Sequence, residues 1–308
     1  MSTRTPAMSG TAWALLLTLS VLWGATFFFW KVLVEHLPPF TVVFGRVGIA
    51  ALVLLLVLAL RGETLPMTRA AWTRFMVMAA LNNAIPFALI AYGETAIASG
   101  VASILNATTP VFTVLVAHVL TEDEKLSPLK VLGVGLGFVG VVVLVWPDLL
   151  PGGLGIDLLG EIACLLASVT YAFAGVYGRR FSGLSALTAA AGQLVAATLL
   201  MLPLVVVVDR PWLLPAPPMM TWVSLVTIAV VCTAAAYPVY FRLLAVAGAT
   251  NLLLVTFLLP ISALLLGALF LREAITPAAM AGMALIGLGL GLASIDGRMV
   301  PRAALHGG

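Results

Sequence analysis

Residues 103–120, SILNATTPVFTVLVAHVL, set an amide, several hydroxyls and a proline inside a stretch otherwise apolar enough to cross a bilayer. Wound at about 100° per residue, Ser99, Ser103, Asn106, Thr109 and Thr113 fall within one arc of about 120°. Amides and hydroxyls can bind the polar groups of a small ligand, and they cost free energy against lipid. The stripe must therefore face other helices or a wet cavity. Pro110 also leaves the carbonyl of Asn106, four residues earlier, without its helical donor, so a kink is expected there. Asn106 and Thr109 are candidate cavity residues; the competing reading is that small polar residues let helices pack closely.

Other residues of the same chemistry recur along the chain. Asn82 and Asn83, in LNNAIPF with a kink expected at Pro86, could bind a polar substrate group or tie one helix to its neighbour. Trp23 lies on an aromatic face with Trp13, Ser20, Phe27 and Trp30, and Thr26 is on its margin. Trp23 suits a pocket, whereas Trp13 and Trp30, near the helix ends, suit interfacial anchoring. AYPVYF offers Tyr237 and Tyr240 beside Pro238, a further expected bend, with Tyr237 the better cavity candidate. Arg46 is the strongly basic residue set inside an apolar run. It either attracts an anionic group or snorkels and hydrogen-bonds structurally. Glu161 and His118 lie close to helix ends, where hydration is the simpler account.

The elements that must position these residues are membrane helices. The chain of 308 residues is 62% hydrophobic and 9% charged, whereas a soluble domain carries roughly a quarter charged residues. Apolar runs suited to helices of about 20 residues occupy 12–30, 40–60, 72–92, 97–119, 128–146, 158–177, 185–208, 220–241, 247–270 and 277–295. The fold class expected is all-α integral membrane with ten transmembrane helices. With the amino terminus inside, Arg4, Arg61, Arg69, Arg74, Lys125, Lys130, Arg179, Arg180, Arg242, Arg298 and Arg302 lie on the cytoplasmic side. Only Lys31, Arg210 and Arg272 lie outside, so both termini are expected in the cytoplasm. The net charge of +3 is thus a matter of topology, and no clustered basic face points to nucleic acid. Cys164 and Cys232 both fall within helices, which speaks against a disulfide or a cysteine metal site; no metal and no cofactor are expected.

The chain repeats itself. NATTPVFTVLVAHVLTEDEKLSP echoes TFLLPISALLLGALFLREAITP, pairing Pro110 with Pro260 and Pro128 with Pro277. LLLTLSVLWGATFFFWK aligns with ACLLASVTYAFAGVYGR, pairing Ser20 with Ser168, Trp23 with Tyr171 and Lys31 with Arg179. Trp23 and Tyr171 are accordingly expected to face one another across a pseudo-symmetry axis. Arg46 pairs with Gln193. The organisation expected is a cytoplasmic tail over 1–11, one five-helix repeat over 12–150, a second over 158–295 and a cytoplasmic tail over 296–308. The break falls in WPDLLPGGLGID. An odd number of helices inverts the second copy relative to the first, which is transporter architecture.

LWGATFFFWK, ASGVASILNATTPVFTVLVAHVL, the TEDEKLSP turn and their second-half partners with LREAITP resemble the ten-helix drug/metabolite transporters of the EamA type. The resemblance extends over roughly 12–295 and implies an inner-membrane carrier of small molecules, with the fifth and tenth helices packed together away from the substrate path. The related four-helix antiporters hold a proton-binding carboxylate in the first helix. This chain has none in that span, so proton antiport by that route is not expected. No GxxxxGK[ST], HExxH or GxSxG motif is present, which leaves a gradient as the driving force. The function expected is export of amino acids or related metabolites by alternating access, with multidrug efflux on the same fold as the alternative and a membrane enzyme or channel as lesser ones. Its partners are a small-molecule substrate and the lipid bilayer.

Overall fold

The computed structural model describes residues 9–121, 128–149, 156–181, 183–252 and 255–299. The TEDEK turn, most of the expected break between repeats and the outer portion of each tail lie outside them. Apolar helices follow one another, with no strand among the described residues. They are α1 Gly10–Val34, α2 Pro39–Leu60, α3 Arg69–Gly93, α4 Ser99–Leu120, α5 Pro128–Leu149, α6 Ile156–Tyr177, α7 Ala186–Leu204 and α8, which starts at Met219. Then come α9, beginning with Val255–Leu266, and α10 Pro277–Met299. Eight stretches are long and apolar enough to cross a membrane, and Leu258–Leu271 and Pro277–Leu292 are shorter apolar helices.

Several helix ends depart from the sequence reading by a few residues. α1 starts at Gly10 rather than 12, and α10 runs to Met299 through residues expected in the tail. The last piece of α8, Ala236–Leu252, is continuous across the connection expected at 242–246. RLLAVAGAT holds no proline and is rich in Ala and Leu, the strongest helix formers, so nothing local stops it.

The alternation of direction gives two ends to the bundle. One, face A, carries the turns after α2 and α6. The other, face B, carries the turns after α1, α3, α7 and α9. α5 and α10 pack along each other: a side-chain carbon placed on Gly140 would meet the carbonyl oxygen of Gly282 at 2.9 Å, and the converse is equally close. Gly289 opposes Gly133 and Gly137 in the same seam, whereas Gly291, two residues on, has nothing within 4 Å of such a carbon.

The crossings nearer the centre follow the repeat. α1 crosses α9 at Gly24, where a side-chain carbon would run into Ser262 and come within 2.8 Å of the Leu259 carbonyl. Ser262 Oγ donates to the Ser20 carbonyl at 2.8 Å. In the inverted copy α6 meets α4, and Ser168 Oγ donates to the Leu105 carbonyl at 3.0 Å. Ser20 and Ser168 are equivalent positions, so each half places its first helix against a helix of the other half through one hydroxyl.

Gly24→Leu is expected to lower the apparent melting temperature of the detergent-purified protein by at least about 5 °C, as overpacking costs typically 1–3 kcal/mol. Gly135→Ala, on α5 with nothing within 4 Å, should leave it unchanged. Equal melting of the two variants in a thermal-shift assay would refute the tight crossing.

Candidate substrate cavity

Three helices around the centre are interrupted, and each interruption sits beside a proline. α3 is α-helical over Arg69–Ala79, widens to a π-turn over Ala80–Ala84 and resumes at Ile85–Gly93 with Pro86 in the new first turn. α8 does the same with Met219–Ala229, a π-turn at Val230–Ala234 and Ala236–Leu252, whose first turn holds Pro238. α4 breaks outright into Ser99–Asn106 and Thr109–Leu120, with Pro110 at the start of the second piece. The chemistry is shared: proline has no N–H, so the carbonyl one turn before it needs another donor. A buried carbonyl left unpaired costs about 1–3 kcal/mol.

At Pro110 a hydroxyl supplies the relief, and just before the other two prolines the hydrogen-bond register widens. Thr109 Oγ1 donates to the Asn106 carbonyl at 2.7 Å, and Thr108 Oγ1 to Leu105 at 2.6 Å. In the π-turns Ile85 N donates to the Ala80 carbonyl, and Ala235 N donates to that of Val230 at 2.8 Å. The widened turns carry Asn82 and Asn83 in one repeat and Cys232 and Thr233 in the other, and all four face the same space. Pro260 behaves differently. It lies inside α9, which is continuous over Val255–Leu266, so no break marks the kink expected there.

That space is a cavity of about 1170 Å³ between the two repeats. Trp23, Thr26, Asn82, Asn83, Asn106, Thr109, Tyr171 and Tyr237, drawn from several different helices, all line it, as do Arg46 and Pro110. Pro86, Pro238 and Pro260 do not. Nor does Glu161, which is 2% exposed rather than hydrated at a helix end. The helix 4 stripe divides. Asn106, Thr109 and Thr113 reach the cavity, while Ser103 bonds within its helix, to the Gly100 carbonyl, and Ser99 is held by Glu273.

The walls are arranged by hydrogen bonds and rings. Asn82 Nδ2 donates to Gln193 Oε1 at 3.3 Å, and Gln193 Nε2 to Tyr237 Oη at 3.0 Å, a chain linking α3, α7 and α8. Asn82 therefore both ties helices and lines the space. The ring partner of Trp23 is Tyr240, with centroids 5.8 Å apart, rather than Tyr171. Trp30 is fully buried and meets Phe87 edge-on, so it is a cavity residue and not an interfacial anchor.

Arg46 does not snorkel. It is 5% exposed, its Nε donates to Thr233 Oγ1 at 3.0 Å, and its guanidinium carbon lies 4.0 Å from the Phe87 ring centroid and 5.1 Å from that of Trp30. Sequence reasoning missed Thr233, Gln193, Phe87 and Trp30 as cavity residues. The repeat held a signal for one of them, since Gln193 is the partner of Arg46.

The cavity reaches the face A turn at Gly178, Phe181 and Leu184 and stops short of face B at Trp30, Arg46 and Ile90. Beyond these, Leu33, Glu94, Ile97 and Ser99 are all buried. The closed layer is bonded. Lys31 Nζ donates to the carbonyls of Glu94 and Ile97 at 2.8 and 3.0 Å. Glu273 accepts from Ser99 N and Oγ and from Gly100 N, and Asp209 accepts from Thr41 N and Oγ1. Each of these acids belongs to the second repeat and caps the start of a first-repeat helix, where free N–H groups and the helix dipole favour an anion.

Glu94 is a further residue that sequence reasoning missed. It lies one position past the span Arg69–Gly93 and is 0% exposed, and neither carboxylate oxygen has a partner among the described residues. Burial, and secondarily the charge of Glu273, hold its carboxyl well above the usual carboxylate range against the opposing pull of Lys31.

A scan with the EamA-like transporter family model matches residues 9–146 and again 158–295. The chain belongs to the EamA-like transporter family. It is a multi-pass membrane protein built from two copies of the family unit. Among relatives, it is 30% identical over 186 residues to the "Uncharacterized inner membrane transporter YedA" of Escherichia coli K12. That match covers 59% of this chain and 58% of YedA. It is 24% identical over 284 residues to the "Uncharacterized transporter YoaV" of Bacillus subtilis, covering 89% and 94% of the two chains. It is 27% identical over 276 residues to "Protein PecM" of Dickeya dadantii, covering 86% of each. A solved crystal structure, 19% identical, covers 94% of this chain and 99% of its own with a TM-score of 0.66, a likeness of fold.

The raised Glu94 carboxyl predicts a pH dependence. The folded chain holds this proton to a higher pH than the unfolded chain does, so stability falls as pH rises above the ordinary carboxylate range. Between about pH 5 and about pH 8 the wild-type melting temperature in detergent should fall, and Glu94→Gln should flatten that fall. Identical slopes in the two proteins would remove Glu94 as its origin.

Proposed function

We propose that this EamA-like transporter exports amino acids or related small metabolites by alternating access between its two repeats, with both termini in the cytoplasm of a bacterial-type cell. One observation carries the reading: a large cavity between inverted halves that reaches one face and is sealed from the other by bonds running from one half to the other. Inverted halves of near-equal energy can exchange this arrangement for its opposite, exposing one site to each side in turn. The arginines near face A, Arg61, Arg69, Arg74 and Arg180, support a cytoplasmic location for it under the positive-inside bias. The cavity then loads from the cytoplasm, as export requires.

Within the proposed site, Asn106, Thr109, Asn82 and Asn83 provide hydrogen bonds, while Trp23, Tyr171 and Tyr237 hold the apolar body. Multidrug efflux is the second reading, favoured by the aromatic wall. Against it stands the absence of Asp and Glu from the residues that line the cavity, since cationic drugs would meet no countercharge.

Flux of a radiolabelled amino-acid and metabolite panel across proteoliposomes tests the proposal, with and without an imposed pH gradient. Saturable flux is expected, reduced at least about fivefold by Asn106→Ala at unchanged protein level, the cost of roughly one hydrogen bond to substrate. Wild-type kinetics in Asn106→Ala would remove that residue from the site, and flux that never saturates would point to a pore.

A further inference from the structure

Among the described residues that line the cavity, Arg46 is the only charged side chain. Its surroundings are complete on one side and incomplete on the other. Thr233 Oγ1 accepts from Nε and is itself oriented by donating to the Ile228 carbonyl at 2.8 Å. Phe87 and Trp30 present ring faces to the guanidinium, an arrangement that tolerates a desolvated cation. Nη1, however, is buried and has no hydrogen-bond partner among the described residues. A guanidinium stays protonated, so the unmet need is for an acceptor, and a negative one answers the charge as well.

We propose that Arg46 is the docking group for a carboxylate, and that the cavity selects organic monocarboxylates with an apolar or aromatic body. The assignment rests on the transporter reading above and deepens it. A carboxylate is planar and matches the guanidinium fork, and such a charge-assisted bidentate pair is strong where no carboxylate among the described lining residues competes for the guanidinium. Two further orphans extend the pattern: Asn83 Oδ1 and Asn106 Oδ1 are buried acceptors without donors among the described residues. A ligand that carries an N–H or O–H donor besides its carboxylate, as amino and hydroxy acids do, would answer these too. Trp23 and Tyr240, with their rings 5.8 Å apart, form the surface on which the body rests.

The test uses purified full-length protein in lipid nanodiscs and matched pairs: phenylacetate against phenylacetamide, and L-phenylalanine against L-phenylalaninamide. Binding is read by quenching of intrinsic tryptophan fluorescence, to which Trp23 and Trp30 contribute from the cavity wall, and flux is read in proteoliposomes. Each carboxylate is expected to bind at least about tenfold more tightly than its amide. Arg46→Gln should abolish that preference, and Arg46→Lys should restore a fraction of it as a point charge without the fork. Thr233→Val, which keeps the charge and removes its anchor, should weaken carboxylate binding by a smaller factor, guarding against misfolding of the Arg46 variants.

Absence of a carboxylate preference in the wild type, its survival in Arg46→Gln, or no binding by any of the four compounds would each overturn the assignment. Saturable flux of the amides alone would do so while leaving the transporter reading standing. Carboxylate binding that depends on Arg46, without flux of any panel member, would uphold the docking group and count against the transport reading.

Discussion

Within a bilayer no water relieves an unpaired backbone carbonyl, so every break in a membrane helix must be repaired by the protein itself. This constraint organises the centre of the molecule. Prolines at 86, 110 and 238 each remove a donor. The Thr109 hydroxyl repairs the carbonyl freed by Pro110, and the turns just before Pro86 and Pro238 are widened. A widened turn also rotates the residues within it relative to the rest of the helix, which brings Asn82, Asn83, Cys232 and Thr233 to the cavity. The polar lining follows from the same departures from regular helix that the prolines impose.

A second consequence concerns charge. Among the described residues the cavity wall holds one cation and no carboxylate, while the acids near it are set in the sealed layer toward face B. There Asp209 and Glu273 are matched to helix N-termini and Lys31 to backbone carbonyls. Charged groups thus serve backbone ends within the closed layer. Glu94, whose carboxylate oxygens have no such partner among the described residues, keeps its carboxyl in the range where neutrality is easiest.

Much of this was legible from the residues. Periodicity and length revealed the apolar spans, the offset between the halves revealed the inverted repeat, and a polar residue in an apolar run marked each cavity candidate. What stayed hidden depends on packing between distant segments. Trp30 reads as an anchor because it lies near a helix end, yet it packs on Phe87 of α3 and Arg46 of α2 and is completely buried. Trp23 pairs with Tyr240 because α1 packs against α8, a neighbour that repeat symmetry alone does not specify. Glu161 reads as hydrated from its depth, but the neighbouring helices cover it. Pro260 shows the limit of the repeat itself: the same residue in the same place breaks one helix and leaves the other continuous, since only α4 turns out of its path with Ala107 and Thr108.

The contact of α1 with α9 at Gly24 has a mechanical meaning. Gly24 lies against the Leu259 carbonyl and Ser262 there, so rotation about this crossing is the relative motion that keeps the contact. At about 1.5 Å per residue, Val34 lies about 15 Å from Gly24 on one side and Gly10 about 21 Å on the other. A rotation of about 20° carries the first end through about 5 Å and the second through about 7 Å. Those displacements are comparable to the width of a side chain, so a rotation of that size about the crossing would be enough to unseat the packing at either end.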